Sequence, residues 1–263
     1  MGMFTIKPTN SVSGDGTTQR AIFGYGNSGS VVSLTNLVSD TGVVASDVSG
    51  VGSARMQLAA ANFGGDKAIF GYGHLAAESS ASSLTNLVSN LGVVAADVTG
   101  VGTARSHLAA AEYGEDKAIF AYGGIASTLS MSNLVNSSGV VASDVSGAGT
   151  ARYGVAATRY GEDKAVFAYG YDGIGGSGGP GHINYRSLVN NNGVLAAEVS
   201  GAGTSRDNLA AAGYGGDKGI FGYGYHNGNI DVTNLVSSSG VISADVTGVG
   251  TARRVLAAAS YGG

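Results

Sequence analysis

Asp66-Lys67-Ala68-Ile69-Phe70-Gly71-Tyr72-Gly73 returns as DKAIFAYG at 116–123, DKAVFAYG at 163–170, DKGIFGYG at 217–224 and, in altered form, QRAIFGYG at 19–26. Between the central phenylalanines Phe23, Phe70, Phe120, Phe167 and Phe221 the steps are 47, 50, 47 and 54 residues. A period of that size marks one supersecondary unit copied several times. Outward from this stretch every unit repeats the same segments. A loop of varying length is followed by TNLVS at 35–39 and its copies, a short Ser/Asn/Gly turn, then GVVASDV at 42–48. After these come GVGSAR at 50–55 and the small-residue segment LAAANFG at 58–64. These runs are short, β-branched or aromatic, and bounded by Gly, Ser, Asn and Asp, which is the pattern of strands. Leu58-Ala59-Ala60-Ala61 suits a helix in isolation, but it is too short and lies close to glycines.

Four short strands in each of five units predict an all-β fold, a five-bladed β-propeller of four-stranded blades. Alternation places Ala68, Phe70 and Tyr72 on one face of the strand and Ile69, Gly71 and Gly73 on the other. Neighbouring blades then pack the bulky face of one against the glycine face of the next. Residues 253–262 read as a first strand without a hairpin of their own. They are expected to complete the first blade, close the ring and remove its exposed edges. An open solenoid would instead need polar caps at both ends. Residues 1–19 match no repeat and read as an arm or leader, with a possible short strand at 3–6; residues 20–263 form the propeller.

Composition narrows the function classes. The 263 residues carry 12% charged and 43% hydrophobic side chains, enough apolar content for a core. The 46 glycines with only two prolines fit turns and close backbone approach, and exclude collagen-like structure. A net charge of −4 gives no reason to expect nucleic acid or an anionic membrane as partner. No cysteine is present for disulfides or thiolate metal sites. No apolar run approaches the roughly 20 residues of a membrane span, so a soluble chain without membrane insertion is expected.

The order Arg, Ala-Ala-Ala, Tyr-Gly, Lys-Ala-Ile-Phe-Gly-Tyr-Gly resembles the kelch repeat, which pairs an arginine before its first strand with an aromatic strand ending in two glycines. Here the glycines are split as Gly71-Tyr72-Gly73, and the kelch tryptophan is absent. The phrases TNLVS, GVVA-x-DV and GTAR are closer to Gly/Ala-rich kelch-like repeats of bacteriophage and marine viral sequences. That resemblance implies a non-enzymatic virion protein, on a tail or capsid surface, recognising a host surface glycan or another virion protein. The kelch likeness alone implies a cytoplasmic scaffold for protein–protein interaction.

Candidate functional residues fall in two sets. The loops at 27–30, 74–80, 124–129, 171–185 and 225–231 vary while their frame repeats, as recognition surfaces do. They supply the candidate ligand-binding residues His74, Glu78, Tyr171, Asp172, His182, Tyr185, Tyr225 and His226. Tyr with Ser, Gly and Asn makes an adaptable binding surface. The second set is one arginine per unit: Arg55, Arg105, Arg152, Arg206 and Arg253. Five guanidinium groups near an axis could ring an anion. Their equal recurrence favours pairing with the equally recurrent Asp47, Asp97, Asp144, Glu198 and Asp245. No catalytic set and no short metal-ligand spacing stands out, and no cofactor is implied. Gly-Val-Gly-Thr-Ala-Arg lacks the third glycine and the helix of a dinucleotide site, and reads as a turn.

Overall fold

The computed structural model describes residues 3–6, 20–39, 41–75, 80–147, 149–173 and 181–260. In chain order the strands are β1 (Met3–Ile6), β2 (Arg20–Asn27), β3 (Val31–Val38), β4 (Arg55–Met56), β5 (Ala59–Phe63) and β6 (Lys67–Gly71). Next come β7 (His74–Leu75), β8 (Thr85–Val88), β9 (Ala109–Tyr113), β10 (Lys117–Ala121) and β11 (Ser132–Val135). The last are β12 (Ala156–Tyr160), β13 (Lys164–Ala168), β14 (Arg186–Val189), β15 (Ala210–Tyr214), β16 (Lys218–Tyr225) and β17 (Asn229–Val236). The protein is all-β. Five small antiparallel sheets hold these strands, β1-β2-β3, β5-β6-β8, β9-β10-β11, β12-β13-β14 and β15-β16-β17, with β4 and β7 forming a two-stranded ribbon.

Each repeat phrase is the central strand of its sheet, and Leu-Ala-Ala-Ala runs beside it. Ala60 lies opposite Phe70 and Ala61 opposite Ile69. Burial alternates along β5, β9 and β12, as a strand with one packed face requires. Between sheets, a phenylalanine fills the space left by a small residue on its neighbour. A methyl group added at Gly24 would lie 2.9 Å from Phe70, and one at Gly71 only 2.7 Å from Phe120. In the later units Ala121 packs with Phe167, and Ala168 with Phe221. The core is thus a set of thin layers, one between each pair of successive sheets.

Three expectations need correction. The fourth segment of each unit forms no continuous strand. It touches the third at isolated bridges, such as Thr35 with Val48 and Val38 with Val44. Between the bridges a side-chain amide takes the carbonyl that a ladder would use: Asn86 Nδ2 donates to Ala95 O at 3.0 Å, and Asn133 Nδ2 to Ala142 O at 3.0 Å. The sheets are therefore three-stranded with a tethered edge.

Second, the tyrosine of the repeat leaves the alternation. Tyr25, Tyr72, Tyr122, Tyr169 and Tyr223 all have φ between 62° and 65°. That twist turns Tyr72 toward the following sheet, where its ring meets Phe120 edge-on at 5.2 Å. A left-handed non-glycine residue costs about 1–2 kcal/mol, so contacts around each tyrosine must offset it.

Third, the C-terminal segment does not complete the first sheet. Met3–Ile6 holds that edge, with Met3 opposite Phe23 in the place Ala60 takes opposite Phe70. Residues 256–260 form no strand and stay beside β15, where Ser260 Oγ donates to Gly213 O at 2.8 Å. An edge accepts any extended backbone, because the ladder bonds are made by main-chain groups alone. The five sheets follow one another without a closed ring. No helix among the described residues is long and apolar enough to cross a membrane.

Candidate functional site

The arginines come first because they set the frame. Each stacks on the tyrosine of its own unit and reaches into the next. Arg105 lies 4.1 Å over the ring of Tyr72 and donates to Asn133 Oδ1 at 2.7 Å, Tyr122 O at 2.9 Å and Thr103 O at 3.1 Å. Arg152 lies 4.0 Å over Tyr122 and pairs with Glu198 at 3.1 Å; Arg206 lies 4.0 Å over Tyr169 and bonds Asn234 at 2.6 Å. Arg55 repeats the pattern with Tyr25, Asn86 and Asp97. These four side chains are wholly buried. Each meets the acid of the following unit: Asp97, Asp144, Glu198 and Asp245 respectively.

The electrostatics agree with that arrangement. Burial works against the charge of Asp97, Asp144 and Asp245, yet all three carboxyls stay below the usual range. Hydrogen bonds from Ser53, Thr103 and Thr204, from the recurring asparagines, and the arginine charge all favour the ionised form. Burial, with the Asp97 charge acting in the same direction, pushes the Tyr25 phenol up to about 12 against the pull of Arg55. The four guanidiniums are buried between a tyrosine ring and an acid of the next unit, and the Nε atoms of Arg55, Arg152 and Arg206 have no hydrogen-bond partner. Arg253 differs: it lies 3.9 Å over Tyr223 and bonds Thr251 O, but it is exposed and meets no carboxylate among the described residues.

Just past each arginine, the chain turns. Gln57, His107, Gly154, Asn208 and Val255 all have φ between 51° and 64°. They are linked in series: His107 N–H donates to Gln57 O, Gly154 to His107, Asn208 to Gly154 and Val255 to Asn208, at 2.9–3.1 Å. One residue from each link thereby stands next to its counterpart in the following link. A cavity of about 620 Å³ opens beside this series, lined by these five residues together with Tyr25, Asn36 and Asp47.

The loop residues gather on the rim. The residue after each arginine bridges to the residue after the repeat phrase: Tyr153 to Tyr171 and Asp207 to Tyr225, while Tyr171 also bridges to His182. Ring contacts then run without a break. His107 meets Tyr153 at 5.6 Å, Tyr153 meets Tyr171 at 5.4 Å, and Tyr171 meets His182 at 5.3 Å. His182 in turn meets Tyr225 at 5.7 Å and His226 at 5.4 Å, and Arg254 lies 4.2 Å over Tyr225.

Four of the residues singled out from the sequence therefore come together: Tyr171, His182, Tyr225 and His226. His74 lies opposite Met56 in the β4–β7 ribbon; burial holds His107 below the ordinary imidazole value, and His74 adds to it. Asp172 closes its loop through a main-chain bond to Gly181, and its carbonyl accepts from Thr128. The Tyr185 carbonyl accepts from Tyr169 N–H, and its ring joins no stack among the described residues. Glu78 lies outside the described residues. Compared with protein-family models and with curated proteins, the chain gives no match, so the chemistry of this rim has to carry the functional reading.

That chemistry is aromatic and largely uncharged. Asp207 Oδ1 lies 3.7 Å from His182 Nε2, and both side chains are nearly buried. Burial raises the Asp207 carboxyl, against the pull of His182, Asn208 and Arg254. Burial likewise holds His182 below the ordinary imidazole value, with His226 acting in the same direction and Asp207 against it. His182 Nδ1, His226 Nδ1 and Asp207 Oδ1 are buried without a hydrogen-bond partner. The rim thus offers flat ring faces that suit stacking on a neutral ligand, while the unpartnered polar atoms lie closed off beneath them.

Reasoning from the sequence missed Tyr153, Asp207, Arg254 and His107. A signal was there. Immediately after the constant arginine the units read Met56, Ser106, Tyr153, Asp207 and Arg254, and one residue later Gln57, His107, Gly154, Asn208 and Val255. Two freely varying positions inside an otherwise repeated phrase are as informative as a varying loop.

Proposed function

We propose that this protein is a non-enzymatic binding module, a propeller-type array of five blade-like sheets whose rim recognises a polyhydroxylated ligand of the glycan class. The observation that carries the reading is the unbroken series of rings from His107 to Tyr225, drawn from successive units. Ring faces stack on the apolar side of a sugar. The frame beneath is rigid because buried arginines lock each sheet to the next, which favours a preformed site. The resemblance of the repeats to viral kelch-like sequences favours a virion surface, where the ligand would be a host glycan.

A glycan array followed by calorimetry on the best hit tests this. Wild-type protein is expected to bind, and Tyr171→Ala and Tyr225→Ala each to weaken binding at least tenfold while the circular dichroism spectrum stays unchanged. Absence of binding across the array would sink the glycan reading. Capture of a cytosolic protein by the same rim, lost in the same variants, would replace it with a protein-interaction scaffold.

A further inference from the structure

The interface between successive sheets is built four times from the same parts, and the two ends of the array each carry one unmatched half. Three parts recur. A buried arginine, stacked on the tyrosine of one unit, meets an acid of the next and an Asn there, or Ser187 in the case of Arg152. A turn glycine of one unit receives a large side chain from the unit before. A phenylalanine covers a small residue of that preceding unit.

The glycine contacts show the pattern most clearly. A methyl at Gly92 would meet Leu37, at Gly139 Leu87 and Phe63, at Gly193 Tyr113, and at Gly240 Tyr160 and Leu188. At Gly42, the corresponding position of the first unit, it would meet nothing within 4 Å. The side chains that should cover Gly42 are those of the fifth unit, and they are bare. Tyr214 is 40% exposed where Phe63, Tyr113 and Tyr160 are 1%, 3% and 4% exposed, and Leu235 is 41% exposed.

The charges match in the same way. On the first unit Asn36 Nδ2 holds Asp47 Oδ1 at 2.7 Å, the pair that elsewhere receives an arginine, and no arginine among the described residues pairs with it. On the last link Arg253 already lies over Tyr223, as Arg206 lies over Tyr169, and no carboxylate meets it among the described residues. Asp47 and Arg253 are the two halves of the contact made by Asp97 with Arg55.

We infer that the fifth-unit face of one molecule docks on the first-unit face of a second copy, and that the new contact reproduces the four interfaces inside the chain. Arg253 would meet Asn36 and Asp47, and Tyr214 and Leu235 would cover Gly42. The contact is heterologous, so repetition gives larger rings or filaments rather than a symmetric pair. Two observations favour a second copy over the chain's own other end. Across the cavity that both ends line, Arg253 pairs with no carboxylate among the described residues, and the edge of β2 that residues 256–260 would need is already filled by β1. Residues 256–260 of the docking molecule contend with β1 of the incoming one, and one of the two gives way. This inference is independent of what the rim binds.

Sedimentation velocity over a hundredfold concentration range tests it, with circular dichroism confirming that each variant is folded. The wild-type coefficient is expected to rise with concentration. Asp47→Arg and Arg253→Asp each place like charges across the contact, and each alone is expected to stay at monomer mass. An equimolar mixture of the two restores both matched pairings between molecules and is expected to associate like the wild type. A wild type that stays monomeric throughout would overturn the inference, as would a mixture that fails to associate. A monomer whose thermal midpoint falls in each single variant and recovers in the double variant would show instead that the ends close within one chain.

Discussion

Tyr72 and Arg105 form one unit of the frame: the guanidinium lies 4.1 Å over the ring, and the Tyr72 hydroxyl donates to Val101 O at 3.2 Å. The tyrosine is held at φ 64°, so its strain is stored where the stack and the hydrogen bond can offset it. The arginine is fully buried, and removing it takes the donor from Asn133 Oδ1 and the positive charge from beside Asp144.

Arg105→Ala is therefore expected to destabilise the protein by about 3–5 kcal/mol, the usual cost of breaking a buried charge pair. Arg105→Lys should recover only part, because an ammonium cannot stack flat and bond three acceptors together. Arg253→Ala, at the exposed and unmatched copy, should cost the monomer less than about 1 kcal/mol. Urea titrations of the three variants at a concentration below self-association check the order.

Gly71→Ala tests the layer between sheets. The new methyl would stand 2.7 Å from Phe120, so ring or backbone must shift. Overpacking of this kind costs about 1–3 kcal/mol. Gly42→Ala adds the same methyl in open space, but at φ 79°, where an L side chain is strained by about 1–2 kcal/mol. In Gly71→Ala the loss should be relieved by a second change, Phe120→Leu, which makes room. No such partner exists for Gly42→Ala.

His182 ties rim order to pH. Its folded value lies below the ordinary imidazole, so the unfolded chain takes up a proton first, near pH 6.5. Acidification from there down to the folded value favours the unfolded state, and stability falls. Asp207 acts in the opposite direction. Its raised carboxyl gains a proton in the native state before the unfolded chain does, which favours the folded form as pH drops toward the ordinary carboxylate range. Thermal midpoints between pH 7.5 and 5 are expected to decline, with a shallower decline in His182→Gln. An unchanged slope in that variant would remove His182 as the cause.

Much of the frame was legible because it is local. Asp-Lys between Tyr-Gly and an alternating apolar run is a hairpin wherever it stands, and it stands in four near-identical places. The tyrosine flip was not legible, since Gly71-Tyr72-Gly73 reads equally well as straight strand. Only the arginine waiting on the far side decides it. The fourth strand failed because Asn86 and Asn133 bond the carbonyls a ladder needs, and a side chain's choice of acceptor is invisible in the pattern. Residues 256–260 carry the repeat's own wording, yet Met3–Ile6 takes their place. Strand pairing asks for free main-chain groups, not for Ala-Ala-Ala. At the rim, loop composition pointed to Tyr171, His182, Tyr225 and His226, while Tyr153 and Asp207 hid beside an arginine whose repetition drew the eye.

The openness of the array makes a last difference measurable with one residue type. Phe120 is wholly buried between its own sheet and Gly71 of the unit before, whereas Phe23, at the same place in the first unit, is only half-buried because no preceding sheet covers it. Phe120→Ala is expected to cost about 3–5 kcal/mol, through lost burial and the cavity left behind. Phe23→Ala should cost distinctly less in the monomer, about 1–2 kcal/mol, since part of its surface is already wet. Raising the protein concentration until copies associate would cover Phe23 with Gly222 of the neighbour. The Phe23→Ala penalty should then grow toward that of Phe120→Ala, while the Phe120→Ala penalty stays constant. Equal penalties at low concentration would show that the first face is already covered within the chain, and the free ends described above would not exist.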